Sequence, residues 1–192
     1  TPLYYLDVKI LDIPGQSRYS LDLISRNYDT LINYMSVFNH GELAFPDLAM
    51  SPMGKIHFEE VKNIFVILQI LLPITAAVGI PWSIYLYIKK HERFFFKIAG
   101  IITLALPVFL GIWAAINFDS LFITFHKIAF RNDYWIFYPS LDPVINILPE
   151  EFFMHALILI VGIVIGMGIL FLVLGRKYSK KKIKQNSKKA IK

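Results

Sequence analysis

The chain has 192 residues, 56% of them hydrophobic and 15% aromatic, with no cysteine and a formal charge of +6. That composition is too apolar for an ordinary soluble domain and suits a small helical bundle in a bilayer. The lack of cysteine excludes disulfides, a thiol nucleophile and thiolate metal sites.

Residues 1 to 16 (TPLYYLDVKILDIPGQ) read as extended, with strand-tolerant Val8, Ile10 and Leu11 and a turn at Pro14-Gly15. From Tyr19 to Phe38 the apolar positions Tyr19, Leu23, Tyr28, Leu31, Ile32, Met35 and Phe38 recur at intervals of three and four, which predicts an amphipathic helix. Its apolar face is expected to pack on its own cap rather than on a substrate. Residues 39 to 50, with Gly41, Pro46 and Asp47, form a loop. Ser51-Pro52 then reads as an N-cap followed by proline at the first helical position, starting a helix that carries His57, Glu60 and Val61 into a membrane span.

Three windows reach the roughly 20 apolar residues that a spanning helix needs, at 63–88, 98–117 and 154–175. The first contains Pro73, Gly79 and Pro81 and should bend. None has a charge in its middle, which argues against an ion-coupled transporter or voltage sensor. The turn 89–97 holds Lys89, Lys90, Arg93 and Lys97 against Glu92, and the tail 176–192 holds nine Lys or Arg and no acid, so both read as cytoplasmic. The remaining polar blocks, the cap segment 1–62 and the loop 118–153, hold seven bases and thirteen acids and fall on the outer face. An outer block feeding an inward helix predicts a preceding hydrophobic segment, a first transmembrane helix making four spans in the complete protein. The fold class is therefore an all-α integral membrane bundle with a small extracytoplasmic cap.

In the outer loop Asp119 can cap a short helix on which Phe122, His126 and Phe130 form one stripe. Tyr134 to Leu148 is broken by Pro139 and Pro143 and cannot be a long helix; Asp142 before Pro143 is a turn former. The last span carries Gly162-x-x-x-Gly166, a weak signal for close helix contact, and its lysine tail meets anionic headgroups. There is no internal repeat and no nucleotide-binding signature; no nucleic acid and no obligate protein partner is indicated.

His91 and His40 read as solvated surface residues. His57, His126 and His155 all fall at the outer mouths of spans, with Glu60 and Glu151 at helical distance from two of them. Histidine titrates near neutrality, so a pair can serve as base and acid in one turnover. Asn132 and Asp133 either orient a histidine or hold the turn of their own loop.

The residues His126, Asn132, Asp133, Trp135, Pro139, Asp142, Ile145, Pro149, Phe152 and Phe153, with the helix of His57, Val61 and Lys62, resemble the lipoprotein intramolecular transacylase family of Gram-positive bacteria. The likeness extends over essentially the whole chain and departs at Phe58, Glu60 and Ala129. It implies transfer of the sn-2 acyl chain of a diacylglyceryl lipoprotein to the amino group of its N-terminal cysteine, giving a lyso-form lipoprotein. His57 and His126 match the catalytic pair and should meet at a shared pocket. Glu60, Asn132, Asp133, Tyr134, Trp135, Tyr138 and Phe153 support them or bind substrate, Tyr134, Trp135, Phe137 and Tyr138 by excluding water. The partners implied are the diacylated lipoprotein and membrane lipids, with no cofactor and no metal. Two other classes compete: a metal-dependent membrane hydrolase using His57, His126 and His155 with Glu60 or Glu151, and a non-enzymatic scaffold or chaperone.

Overall fold

The computed structural model describes residues 1–90 and 93–190, without the side chains of 89, 90, 93 and 177–190. All regular structure among them is helical: α1 Pro2–Ile10, α2 Ile13–Ser17, α3 Leu21–Tyr34, α4 Pro52–Tyr85, α5 Arg93–Ile116, α6 Phe118–Phe130 and α7 Glu150–Ala190. A π turn, Leu86–Lys90, follows α4, and a 3-10 turn, Pro143–Asn146, precedes α7. Two compact units result, Thr1–Ile74 with Asp119–Ala156 and Thr75–Phe118 with Leu157–Lys192.

The first unit has an ordinary buried core. The extended reading of residues 1–16 is wrong, because α1 and α2 occupy that stretch. Pro2 suits the first turn of a helix, and Tyr4, Asp7 and Val8 share one buried face. Burying that face outweighs the weak strand preference of Val8 and Ile10. Pro14-Gly15 lies inside α2, and the change of direction comes from Asp12, left-handed at φ 46°. Tyr4 stacks on Tyr28 at 3.5 Å and donates its hydroxyl to the Ile147 carbonyl at 2.8 Å. This joins α1 and α3 to the loop before α7.

Ser20 caps α3 by accepting from the Leu23 amide at 3.2 Å, and Ile24, Tyr28, Leu31 and Tyr34 form the buried stripe. The helix thus packs on its own unit. Its end is shorter than the periodicity suggested: Phe38 lies beyond it, 89% exposed. Buried Asn27 ties loop 39–50 to α3 by donating to Asp47 Oδ2 at 2.9 Å and accepting from the Asp47 amide.

Helix α4 begins as the Ser-Pro signal requires, with Ser51 Oγ accepting from the Gly54 amide at 2.9 Å. It then runs unbroken for 34 residues, about 51 Å, against a hydrocarbon core of about 30 Å. The turns before residue 63 carry Lys55, Glu59, Glu60 and Lys62. Two side chains hold α4 to α3 and its C-terminal extension. Lys62 Nζ lies 4.0 Å over the Tyr34 ring and donates to the Asn39 carbonyl. Gln69 donates to the Met35 carbonyl at 2.8 Å and accepts from the Val37 amide.

Among the described residues three helical stretches are long and apolar enough to cross a membrane: Pro52–Ile88, Phe94–Ile116 and Glu150–Arg176. Only 0, 11 and 6% of their most apolar windows is buried in the protein, so that surface requires lipid. In the second unit α5 and α7 approach closely at small residues. A Cβ on Gly100 would meet Leu172 and the Gly168 carbonyl, and one on Gly175 would meet the Lys97 backbone. The expected Gly162-x-x-x-Gly166 pair does not make this contact, since both glycines face open space. The basic side chains expected to meet headgroups lie mostly outside the described residues.

One glycine in the first unit is fixed by packing. Asp142, 3% exposed, accepts from the Ser51 amide at 2.7 Å, and a Cβ on Gly54 would collide with the same carboxylate. Gly54→Ala should destabilise the protein by about 1–3 kcal/mol, the usual range for overpacking. Thermal unfolding in detergent tests this: a melting temperature equal to wild type would show that the contact does not constrain α4.

Candidate active site

Two helices of the first unit bring His57 and His126 together. His57 stands on the charged turns of α4, and His126 is in the middle of α6, with 6.0 Å between the ring centroids. The stripe on α6 forms as its four-residue spacing predicts: Phe122 lies 4.1 Å and Phe130 5.5 Å from His126. Asp119 sits in the first turn of α6 rather than capping it, because the helix already begins at Phe118.

After Phe130 the chain reverses through Arg131, left-handed at φ 52°. This directs the aromatic loop back over the histidines. Trp135 covers His126 at 4.8 Å, and Phe137 and Phe130 meet His57 edge-on at 5.4 and 4.7 Å. His57 is only 6% exposed and His126 is half-buried. The pair is therefore roofed by aromatic rings. A surface hollow of about 660 Å³, lined by residues of α1 to α3 including Tyr5, Asp12 and Leu21, touches neither histidine.

Asn132 organises the loop. Its side chain donates to Glu60 Oε1 at 2.9 Å and accepts from the Tyr134 amide at 3.0 Å, while its carbonyl accepts from Trp135 Nε1 at 2.9 Å. Of the two sequence readings for Asn132, holding the turn is the one these bonds describe, with a tie to α4 added. Asp133 is exposed and its carbonyl accepts from the Ile136 amide. Tyr138 is 61% exposed, its carbonyl accepting from the Leu141 and Asp142 amides. Phe153 packs on Phe122 at 5.7 Å, behind His126.

The third histidine goes elsewhere. His155 pairs through Nδ1 with Oδ1 of Asp7 at 2.8 Å, and this bond ties α7 to α1. Among the described residues no group of three or more His, Asp or Glu side chains is placed to hold a metal ion. His40 is exposed, as expected of a surface residue, and His91 lies outside the described residues. Asp142 and Gly54 act in positioning the site, though neither was read so from sequence. The available signals were a glycine in the first turn of a Ser-Pro helix and an Asp-Pro in an aromatic loop.

The electrostatics differentiate the two imidazoles. The Phe122 carbonyl can only accept, so the 2.7 Å contact to His126 Nδ1 places a proton on that nitrogen and leaves Nε2 as the basic site of the neutral ring. Burial pulls the His126 pKa down from 6.5, and the bond to Phe122 opposes that shift. His57 is pushed down to about 4, first by burial and then by repulsion from a protonated His126. Burial therefore disfavours the charged form of both rings, and each ring's charge would oppose the other's.

A model of the family described as lipoprotein intramolecular transacylase Lit matches residues 1–153. The in meso structure of the membrane-integral lipoprotein intramolecular transacylase Lit from Bacillus cereus is 45% identical, with a TM-score of 0.86 over 94% of this chain and 83% of that one. Two variants of that protein, in which a histidine is replaced by arginine or by alanine, are each 43% identical, with TM-scores of 0.78 and 0.75. They cover 95 and 94% of this chain and each 81% of their own. No curated protein sequence matches significantly.

The depressed His57 pKa makes folding sensitive to acid. Below about pH 6.5 the unfolded chain takes up a proton that the folded chain refuses until about pH 4, so stability is full above that window and falls within it. Melting temperatures measured in detergent between pH 7.5 and 4.5 should therefore drop more for the wild type than for His57→Asn. Equal slopes would mean that burial of this ring costs nothing on protonation.

Proposed function

Because the chain belongs to the lipoprotein intramolecular transacylase family and is an acyltransferase of the membrane, we propose that it moves the sn-2 acyl chain of a diacylglyceryl lipoprotein to the α-amino group of the N-terminal cysteine. The observation that carries this reading is the aromatic-roofed pair of imidazoles, 6.0 Å apart, on α4 and α6. It supplies proton transfer without a serine or cysteine nucleophile. Ester and amine belong to one substrate molecule, so the enzyme's work is to fold that molecule into attack geometry. The orientation inferred from charge puts the site on the outer face of the cell membrane, where diacylated lipoproteins of a Gram-positive bacterium are displayed.

The two histidines take different parts. His126 accepts a proton at Nε2 as the free amine attacks the ester carbonyl carbon and the N–C bond forms. The tetrahedral oxyanion is met by an N–H of uncharged His57, since a neutral imidazole can stabilise developing negative charge. The C–O bond to glycerol then breaks, and the His126 imidazolium protonates the departing glyceryl oxygen. Beginning from the neutral amine, one proton leaves nitrogen and one reaches the alcohol, so the pair returns to its starting state. Trp135 and Phe137 keep out the water that would divert the acyl group to hydrolysis.

Tandem mass spectrometry of a diacylated lipopeptide tests the reaction: total mass is unchanged and fragments show one acyl group moved from glycerol to nitrogen. His126→Asn and His57→Asn should each lower the rate by about 10²-fold or more, the usual share of a general acid or base, with the fold retained. Retained activity in both would favour a scaffold or chaperone over an enzyme acting through this pair. Trp135→Ala should release free fatty acid beside the transferred product; a variant that transfers without hydrolysis would show that this ring does not exclude water.

A further inference from the structure

Three buried side-chain atoms lack a hydrogen-bond partner among the described residues: Asp7 Oδ2, His57 Nδ1 and Glu60 Oε2. Asp7 lies in the α1–α7 tie, whereas the other two are one turn apart on α4 beside the aromatic roof. Buried polar groups in native proteins are nearly always satisfied, so an orphaned acceptor at a functional site marks a place for a donor from a ligand.

Glu60 is well prepared for such a donor. Its Oε1 is held by Asn132 Nδ2 at 2.9 Å, and Asn132 is itself fixed by Tyr134 and Trp135, so the direction of the carboxylate is set. The neighbouring cations on α4 are engaged elsewhere, Lys62 with Asn39 and Tyr34, and Lys55 with Glu42 at 2.6 Å. The second oxygen is thus a buried carboxylate acceptor with no partner among the described residues, and a compact cation with several N–H donors suits it.

We propose that Glu60 is the subsite for the substrate's α-ammonium group, an assignment that rests on the transacylase reading above. An α-amino group has an ordinary pKa of about 7.7–8.0, so it is largely cationic at neutral pH. Held on Glu60, it stands one helical turn from His57; its surplus proton passes to the Glu60 carboxylate, which returns it to water when the product leaves, and the neutral amine so formed turns to the ester. Entry requires the loop of Trp135 and Phe137 to part, since both orphaned atoms are buried. Transfer removes the charge from nitrogen, so the amide product loses this contact and is released. Glu60 would therefore select free-amine lipoproteins over those already N-acylated.

Binding of two unreactive dialkyl-ether lipopeptides, one with a free α-amine and one N-acetylated, to the full chain in lipid nanodiscs provides the test. Wild type should prefer the free amine by about tenfold or more, the usual effect of one charge-assisted hydrogen bond. Glu60→Gln, which still accepts from Asn132, should bind both forms alike, and Glu60→Asp should keep part of the preference. Equal wild-type affinities, or an undiminished preference in Glu60→Gln, would overturn the assignment; the wild-type comparison decides even if the Gln variant does not fold. Turnover of the ester lipopeptide by wild type separates the two proposals. Its absence counts against the transacylase reading, whereas turnover combined with an amine preference that survives Glu60→Gln counts against Glu60 alone.

Discussion

The site depends on the loop after α6 being fastened to α4 on both sides of His57. Before the histidine, Asp142 accepts from the Ser51 amide and fills the space that Gly54 leaves open. After it, Asn132 donates to Glu60. Between these two attachments the loop can only run along α4, which brings Phe137 against His57 and Trp135 against His126. Both attachments are half-buried hydrogen bonds to a carboxylate, and so are of the stronger kind. A short proline-broken segment thereby becomes a roof without regular structure of its own.

That roof sets the chemistry and its cost together. Removing water from His57 depresses its pKa to about 4 and leaves Nδ1 unsatisfied, and Glu60 keeps one bare oxygen beside it. Each feature opposes folding, yet each makes the site a better host for a polar, partly cationic headgroup than for water. The unit offsets this locally. Tyr4, Tyr28, Val144 and Ile147 are all but inaccessible, and the Tyr4 bond to Ile147 secures the same loop from its other end. Unsatisfied polar atoms sustained by a well-packed surround are typical of sites whose function conflicts with stability.

The second unit follows different physics. Its helices present apolar side chains outward, and their closest approach relies on glycines spaced along α5 and α7 rather than on large interlocking residues. Lipid is as apolar as leucine, so close backbone contact contributes to association where burial of apolar area cannot. The first unit, with its stacked tyrosines and buried amide and carboxylate bonds, is assembled in water's terms.

Hydrophobic length, proline position and charge asymmetry determine much of this protein from sequence alone. The three spans, the Ser-Pro start of α4, the amphipathic α3, the irregular stretch from Tyr134 to Leu148 and the stripe of Phe122, His126 and Phe130 are all local patterns, legible because period and capping act over a few residues. The helical state of residues 1–16 was not legible, because it depends on Tyr4 and Asp7 finding Tyr28 and His155 far along the chain. Nor could sequence separate His155, committed to Asp7, from His57 and His126, which face each other 69 residues apart in the numbering. The same holds for Asp142, a turn former by local signal that also clamps the start of α4. Which groups meet, which are left dry and which remain unpaired are matters of contact between distant segments, and only the tertiary structure decided them.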